Sequence, residues 1–126
     1  MIDALFSDSY YVTAKKMLDV SVLRHEAIAS NLANIETPNY KRMDVASSFE
    51  SQLQSAIGSG NTAAVASLQP QLAVDTTAVS GRADGNTVQL ESEMLRLNEN
   101  TVENAVETEL VNQSLAKIRM AVTGKS

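Results

Sequence analysis

Residues 30–42 read SNLANIETPNYKR, and this stretch decides the fold. Its first residues close a long segment with helical apolar spacing. Thr37-Pro38-Asn39-Tyr40 then ends that segment, because proline removes a backbone donor and pushes the residue before it into an extended conformation. Asn34 tolerates the left-handed backbone that closes helices. A long helix therefore stops abruptly on two asparagines and a proline, early in a small chain, and the stop needs a reason.

Upstream of the stop, the sequence predicts a helix from about Ser7 to Ile35, with Ser7 or Asp8 as its cap. Leu18, Val22, Ala29 and Leu32 fall on one face, with His25 in the same stripe. Downstream, Val45, Phe49 and Leu53 fit a short helix or a docked arm. From about Ser55 to Gly85 the chain is rich in Ala, Ser, Thr, Gln and Gly and has no long period, which predicts a flexible or weakly structured loop. Within it Gln71-Leu72-Ala73-Val74-Asp75 alternates weakly, as a short strand would.

A second helix is predicted from Asp84-Gly85-Asn86 to about Thr123. Asn86 and Gln89 resemble a capping box, and Gly124 is a terminator. Glu91 and Glu93 near its start and Lys117 and Arg119 near its end complement the helix dipole. At 1.5 Å per residue it would be roughly 55 Å long, which suits a coiled coil or helical assembly. Leu90, Met94, Leu97, Thr101, Asn104, Thr108, Val111, Leu115, Ile118 and Val122 step by four and three. A second stripe of Leu95, Val102, Val106 and Leu110 lies beside it. One helix from the same chain cannot cover so broad an apolar face, and surplus apolar surface marks a partner interface.

The fold class is therefore all-α. Long N- and C-terminal helices pair as a coiled-coil-like unit across an irregular middle with possible short β elements. Residues 1–54 form the N-terminal helix, the Thr-Pro turn and an exit arm, 55–85 the loop, and 86–126 the C-terminal helix. Together they make one discontinuous domain, as 126 residues allow.

Composition excludes several functions. The net charge of −5 and the scattered basic residues argue against nucleic acid. No apolar run approaches the roughly 18 residues of a membrane span, and the start, MIDALFSDSYY, has no secretory signal pattern. With no cysteine there is no disulfide, thiolate metal site or cysteine nucleophile. His25 is the only histidine and reads as a packing or interface residue. No second histidine or helical His/Glu pairing completes a metal set. Asp84-Gly85-Asn86 lacks the carboxylates of a calcium loop. No phosphate-binding glycine loop or nucleophile elbow occurs. The expectation is no catalysis, no cofactor, no metal and no small-molecule substrate. Glu99, Glu103 and Glu107 form an acidic ridge. It reads either as a solvated face or as a docking strip for Lys15, Lys16 or Arg24 of a neighbouring subunit.

Residues 24–42, RHEAIASNLANIETPNYKR, resemble the N-terminal signature of the flagellar axial proteins, the rod and hook family. The matching positions are Asn31, Ala33, Asn34, Thr37, Pro38, Tyr40 and Lys41. Asn39 stands where the family usually has glycine, and asparagine keeps access to positive φ. Residues 80–94, SGRADGNTVQLESEM, are similar to the lead-in to the C-terminal helix of the small proximal-rod subunits, through Asp84, Gly85, Asn86, Val88 and Leu90. Asn104 departs from the aromatic often found there.

The resemblance implies a structural subunit of the proximal rod of the flagellar basal body. Such a subunit is exported by the flagellar type III apparatus without a cleaved signal, assembles in the periplasm and transmits torque. Its partners would be other rod subunits, copies of itself and the export apparatus. Leu18, Val22, Leu32, Met94, Leu97, Val111, Leu115 and Ile118 are the expected helix interface. Asn31 and Asn34 would serve the exit from the inner layer, and Tyr40 would anchor the exit arm. The alternative is a soluble helical chaperone or adaptor of a secretion system.

Overall fold

The computed structural model describes residues 9–124; the expected caps Ser7 and Asp8 lie outside them. Helix α1 spans Ser9–Ala33, strand β1 Met43–Val45, helix α2 Ser47–Gly58, helix α3 Thr62–Ser67, strand β2 Leu72–Val74 and helix α4 Leu90–Thr123. The described residues are thus mostly helical, with two long helices and one small sheet.

Helices α1 and α4 pack against each other antiparallel. Asn31 meets Glu93 near one end, Ser21 meets Asn100 and Asn104 in the middle, and Tyr10 meets Lys117 at the other end. Neither helix contains glycine or proline, so nothing interrupts the backbone ladder. Helix α4 has 34 residues, about 51 Å at 1.5 Å each. It ends at Gly124, whose φ of 67° and N–H bond to Met120 O make a left-handed cap.

The faces that meet are not the ones apolar spacing picks out. On α1 the buried residues include Ala14, Val20, Ser21, Ala27, Ile28 and Asn31, whereas Val22, His25 and Ala29 are exposed and Leu18 and Leu32 half-buried. On α4 they are Glu93, Asn100, Glu107, Ser114 and Ile118. With half-buried Leu97, Asn104 and Val111, these step by four and three, one position round from the expected seam. The two seams share Leu97, Asn104, Val111 and Ile118. Leu90, Met94 and Val122 are exposed, Leu115 is half-buried, and Leu95, Val102 and Val106 of the second stripe point to solvent. The physical reason lies in size and hydrogen bonding. Ala14, Ser21 and Ala27 let the backbones approach, and the α4 asparagines bond across the gap.

The middle of the chain carries more regular structure than its composition predicts. Strand β2 pairs antiparallel with β1, Met43 opposite Val74 and Val45 opposite Leu72. Val20, Val45 and Phe49 form a buried cluster, with Leu23, Leu53, Leu68 and Leu72 packed on it. Of the 55–85 segment, Leu68 and Leu72 pack on this cluster, whereas Ile57, Val74 and Val79 are exposed. The Asn61 side chain accepts from Ala64 N at 3.0 Å and caps α3. Buried Lys16 donates to the carbonyls of Ala66 and Leu68 at its other end, at 3.3 and 2.7 Å. Residues 75–89 have no helix or strand.

Phe49 is 3% exposed at the centre of this cluster. Phe49→Ala is expected to lower unfolding stability by about 3 kcal/mol, read as a shifted midpoint in urea followed by circular dichroism.

Candidate functional site

Helix α1 ends at Ala33, two residues before the predicted Ile35. Asn34 N bonds Ser30 O and Asn31 O, Ile35 N bonds Leu32 O, and Thr37 N bonds Asn34 O. The Asn34 amide donates back to Ser30 O at 2.9 Å, and its oxygen accepts from the Thr37 hydroxyl at 3.1 Å. The left-handed residue is Asn39, with φ 60°, rather than Asn34. Pro38 and Asn39 occupy the centre of a turn closed by Tyr40 N on Thr37 O at 3.3 Å. Proline followed by a residue with positive φ is the pattern of a type II turn.

This turn is completed from the other half of the chain. The buried Asn86 amide nitrogen donates to the carbonyls of Asn34, Ile35 and Thr37 at 3.0, 3.1 and 2.9 Å. One NH₂ has two hydrogens, so three carbonyls share them. These carbonyls belong to the turn that follows the helix, and each also accepts from one other donor: Thr37 N, Arg82 and Tyr40 N respectively. The Asn86 oxygen accepts from Val88 N at 2.7 Å. The expected capping box is therefore absent. Helix α4 begins at Leu90, Gln89 makes no side-chain cap bond, and Asn86 ties the turn that follows the other helix instead.

The neighbours of Asn86 continue the lock. Arg82 donates to Ile35 O and pairs with Asp84 at 3.0 Å. Asn39 N donates to Asp84 O at 2.8 Å, Thr87 N to Tyr40 O at 3.0 Å, and Arg42 N to the Thr87 hydroxyl at 2.8 Å. The Lys41 ammonium donates to Gly85 O at 2.6 Å. At Gly85 φ is +77°, and an added Cβ would stand 2.5 Å from the Asn39 side-chain oxygen. Asn31, fully buried, grips the arm. Its oxygen accepts from Met43 N at 2.8 Å and its nitrogen donates to Met43 O at 2.9 Å. Tyr40 donates to Asn31 Oδ1 at 3.3 Å and meets the Ser30 hydroxyl at 3.1 Å.

Behind Asn31 lies a buried charge cluster. Arg42 Nε donates to Glu93 Oε1 at 2.6 Å, and its Nη1 reaches Asp75 and, at 3.3 Å, Asp44. Burial alone would lower the guanidinium's pKa. Hydrogen bonds to Glu93 and Asp75, with the charges of Glu93 and Asp44, outweigh burial and raise it. For Asp75, burial pushes the carboxyl up, and hydrogen bonds from Thr77 and Arg42 pull it below its ordinary 3.8.

Among the motif residues, Ala33 and Pro38 are exposed and Val88 is buried beside Asn86 and Thr87. Sequence reasoning missed Arg42, Asp75, Arg82 and Glu93. Arg42 looked like one of several scattered basic residues, and Glu93 like a dipole charge. Their partners are dozens of residues away, so no local spacing shows them.

The acidic ridge divides as well. Glu99 is exposed, and Glu103 lies 3.8 Å from Arg24 of its own chain. Arg24 also bonds Asp44 and Glu50, and Lys16 is buried against α3. Two of the three cations expected to meet this ridge across subunits are thus engaged within the chain. Glu107 is buried, and burial raises its carboxyl above the ordinary 4.5. A hydrogen bond with Ser21 opposes the shift, the Glu103 charge adds to it, and Arg24 again opposes it. Among the described residues no group of three or more His, Asp or Glu could hold a metal ion, and no helix is long and apolar enough to cross a membrane. The arrangement is a scaffold that ties two chain halves into one body.

Asn86→Ala removes a shared donor from three carbonyls, each of which keeps one other (Thr37 N on Asn34 O, Arg82 on Ile35 O, Tyr40 N on Thr37 O), and is expected to cost about 1–2 kcal/mol, measured by urea unfolding against Gln89→Ala as a control. The carboxyl shifts predict a pH profile. The fold binds the Glu107 proton more tightly than the unfolded chain does, so this residue adds stability as pH falls from neutrality towards 4.5. The fold binds the Asp75 proton less tightly, so its contribution is present above 3.8 and lost below. Glu107→Gln should stabilise the chain at pH 7 and flatten the difference between pH 7 and 4.5; an unchanged profile would refute the burial effect.

No protein-family model matches the chain. Curated relatives do. The chain is 29% identical over 128 residues to a flagellar basal body rod protein FlgB of Cereibacter sphaeroides, covering 95% of this chain and 98% of that one. It is 31% identical over 105 residues to the protein of the same name from Borrelia hermsii, covering 69% and 76%. A 41-residue stretch is 51% identical to the one from Borreliella burgdorferi, covering 32% and 29%.

Proposed function

The chain belongs to the FlgB family of flagellar basal-body rod proteins and is a structural subunit of the bacterial flagellar rod, and from that premise we propose how it is built in. It polymerises through helix–helix contacts in the proximal part of the rod and forms part of the torque-transmitting shaft. The observation that carries this reading is the uncovered apolar face of α4. Leu90, Met94, Leu95, Val102, Val106, Met120 and Val122 are exposed although the helix is already paired within its own chain. Large exposed apolar patches mark interfaces.

Neighbouring subunits would cover this face together with Val22 of α1, in coiled-coil-like packing, while Leu97, Val111, Leu115 and Ile118 sit at the intrachain seam and its margins. Leu18 and Leu32, half-buried, lie at the boundary. The locked turn fixes the angle at which the arm leaves the helix pair, and so the placing of residues 43–74 against a neighbour. Partners are other rod subunits, copies of this chain and the base of the export apparatus. Export through the flagellar type III route would deliver the chain to the periplasm. Assembly needs no catalytic step or cofactor. A secretion chaperone or adaptor finds no support among the relatives, which are rod proteins by name.

Electron cryotomography of cells lacking the chain tests this reading. Membrane rings and export apparatus without rod or hook are the expected outcome, and intact rods would refute it. Pro38 is exposed, so Pro38→Ala should cost the fold only about 0.5–1 kcal/mol. It should nevertheless reduce the chain recovered in isolated basal bodies. Recovery equal to the parent's would remove the turn geometry from assembly.

A further inference from the structure

Charge is unevenly placed along the helix pair. Because α1 and α4 are antiparallel, the start of α1 lies beside the end of α4, where Lys117 Nζ stands 5.7 Å from the Tyr10 ring centroid. Residues 9–18 and 110–124 carry Lys15, Lys16, Lys117 and Arg119 and no Asp or Glu. Helix α3, which packs on this end through Lys16, has no charged side chain. Residues 90–109 of α4 are the reverse, with six glutamates against Arg96 alone. Glu91, Glu99, Glu103 and Glu109 among them are exposed. Facing them on α1, Asp19 and Glu26 outweigh Arg24. Exposed Leu95, Val102 and Val106 lie along the same helix and can make apolar contact in any register.

We infer that like-oriented copies of this chain contact each other head to tail, the basic end of one against the acidic half of α4 in the next, and that charge sets this register. The inference rests on the rod reading and names what positions one copy on another. Side by side in register, the copies would oppose glutamate to glutamate, which is unfavourable. Sliding one copy by roughly seventeen helical residues, on the order of 25 Å at 1.5 Å each, replaces repulsion by attraction. A head-to-tail contact uses two different surfaces, so it propagates into a filament unless the rotation closes it. Lys16, Glu93 and Glu107 are buried, so the contact falls to exposed Lys15, Lys117 and Arg119 against Glu91, Glu99, Glu103 and Glu109, an attraction screened beyond about 10 Å at 0.1 M salt.

The test is sedimentation velocity of the purified full chain at 50 and 500 mM NaCl, with helical content followed by circular dichroism. The variants are Lys117→Glu/Arg119→Glu and Glu99→Lys/Glu109→Lys, which change exposed side chains outside the interlocked turn. Self-association at low salt that weakens at high salt is expected. Each variant should associate roughly tenfold less tightly, and an equimolar mixture of the two should regain association. Association indifferent to salt and to both variants, absence of association at low salt, or no recovery on mixing would overturn the inference. None of these bears on the rod assignment, which fails separately if cells lacking the chain still build rods.

Discussion

One carboxamide joins the two halves of the molecule. The Asn86 NH₂ adds a donor to the carbonyls of Asn34, Ile35 and Thr37, in the turn that follows the helix end at Ala33. A helix normally ends on its own residues. Helix α1 does so too, through Asn34 and Ile35, but the turn that follows it takes a donor from some fifty residues further along, so that turn is not complete until the segment before α4 arrives. The abrupt stop seen in the sequence follows from this. Thr37-Pro38-Asn39-Tyr40 turns the chain tightly enough to present three carbonyls to one side chain. Gly85, with positive φ and the Asn39 side-chain oxygen where a Cβ would stand, lets residues 84–87 lie against the turn at Asn39.

The polar character of this junction extends down the helix pair. Asn100 donates to Ser21 O and Asn104 to the Ser21 hydroxyl, while Asn100 Oδ1, Glu107 Oε2 and Ser114 Oγ are buried without a partner. Buried polar atoms left unsatisfied cost free energy. The chain therefore has a helix pair whose inner seam is specific and weakly cohesive and whose outer surface carries Leu95, Val102, Val106 and Met120 exposed among glutamates. An isolated soluble protein would have the opposite arrangement. On the rod reading the inversion is consistent: hydrogen bonds fix which faces of the chain meet, and apolar surface is kept for neighbours, where burial contributes about 25 cal/mol per Å².

What could be read from the residues was whatever local chemistry controls. The Thr-Pro stop, the Gly124 cap, the long uninterrupted helix and the surplus apolar face all follow from neighbouring residues. The strand Leu72–Val74 was visible as weak alternation over 71–75. The rotation of the seam was not, because period four-and-three fits two adjacent stripes of α4 equally well. Apolar content favoured the one containing Leu90, Met94 and Leu115, whereas hydrogen bonding selected the one containing Glu93, Asn100 and Ser114. The Asn86 cap was misassigned for a related reason. Asn-x-x-Gln before an apolar run is a sound helix-start signal, and nothing local reveals that the asparagine serves the turn after a different helix.

The buried cluster around Arg42 shows how this fold tolerates a thin core. Five aromatic residues in the whole chain cannot fill a large apolar interior. Arg42 sits instead at the meeting point of the arm, β2 and α4, bonded to Glu93, Asp75 and Asp44. Such a cluster contributes little net stability, since desolvation offsets much of the attraction. What it does supply is a directional constraint: a guanidinium has its donors in a fixed plane, so the three carboxylates can meet it in few arrangements. If the chain threads through an export channel unfolded and folds where it docks, a core read by geometry rather than by volume gives one packing for the arm. An apolar core of the same small size would permit several.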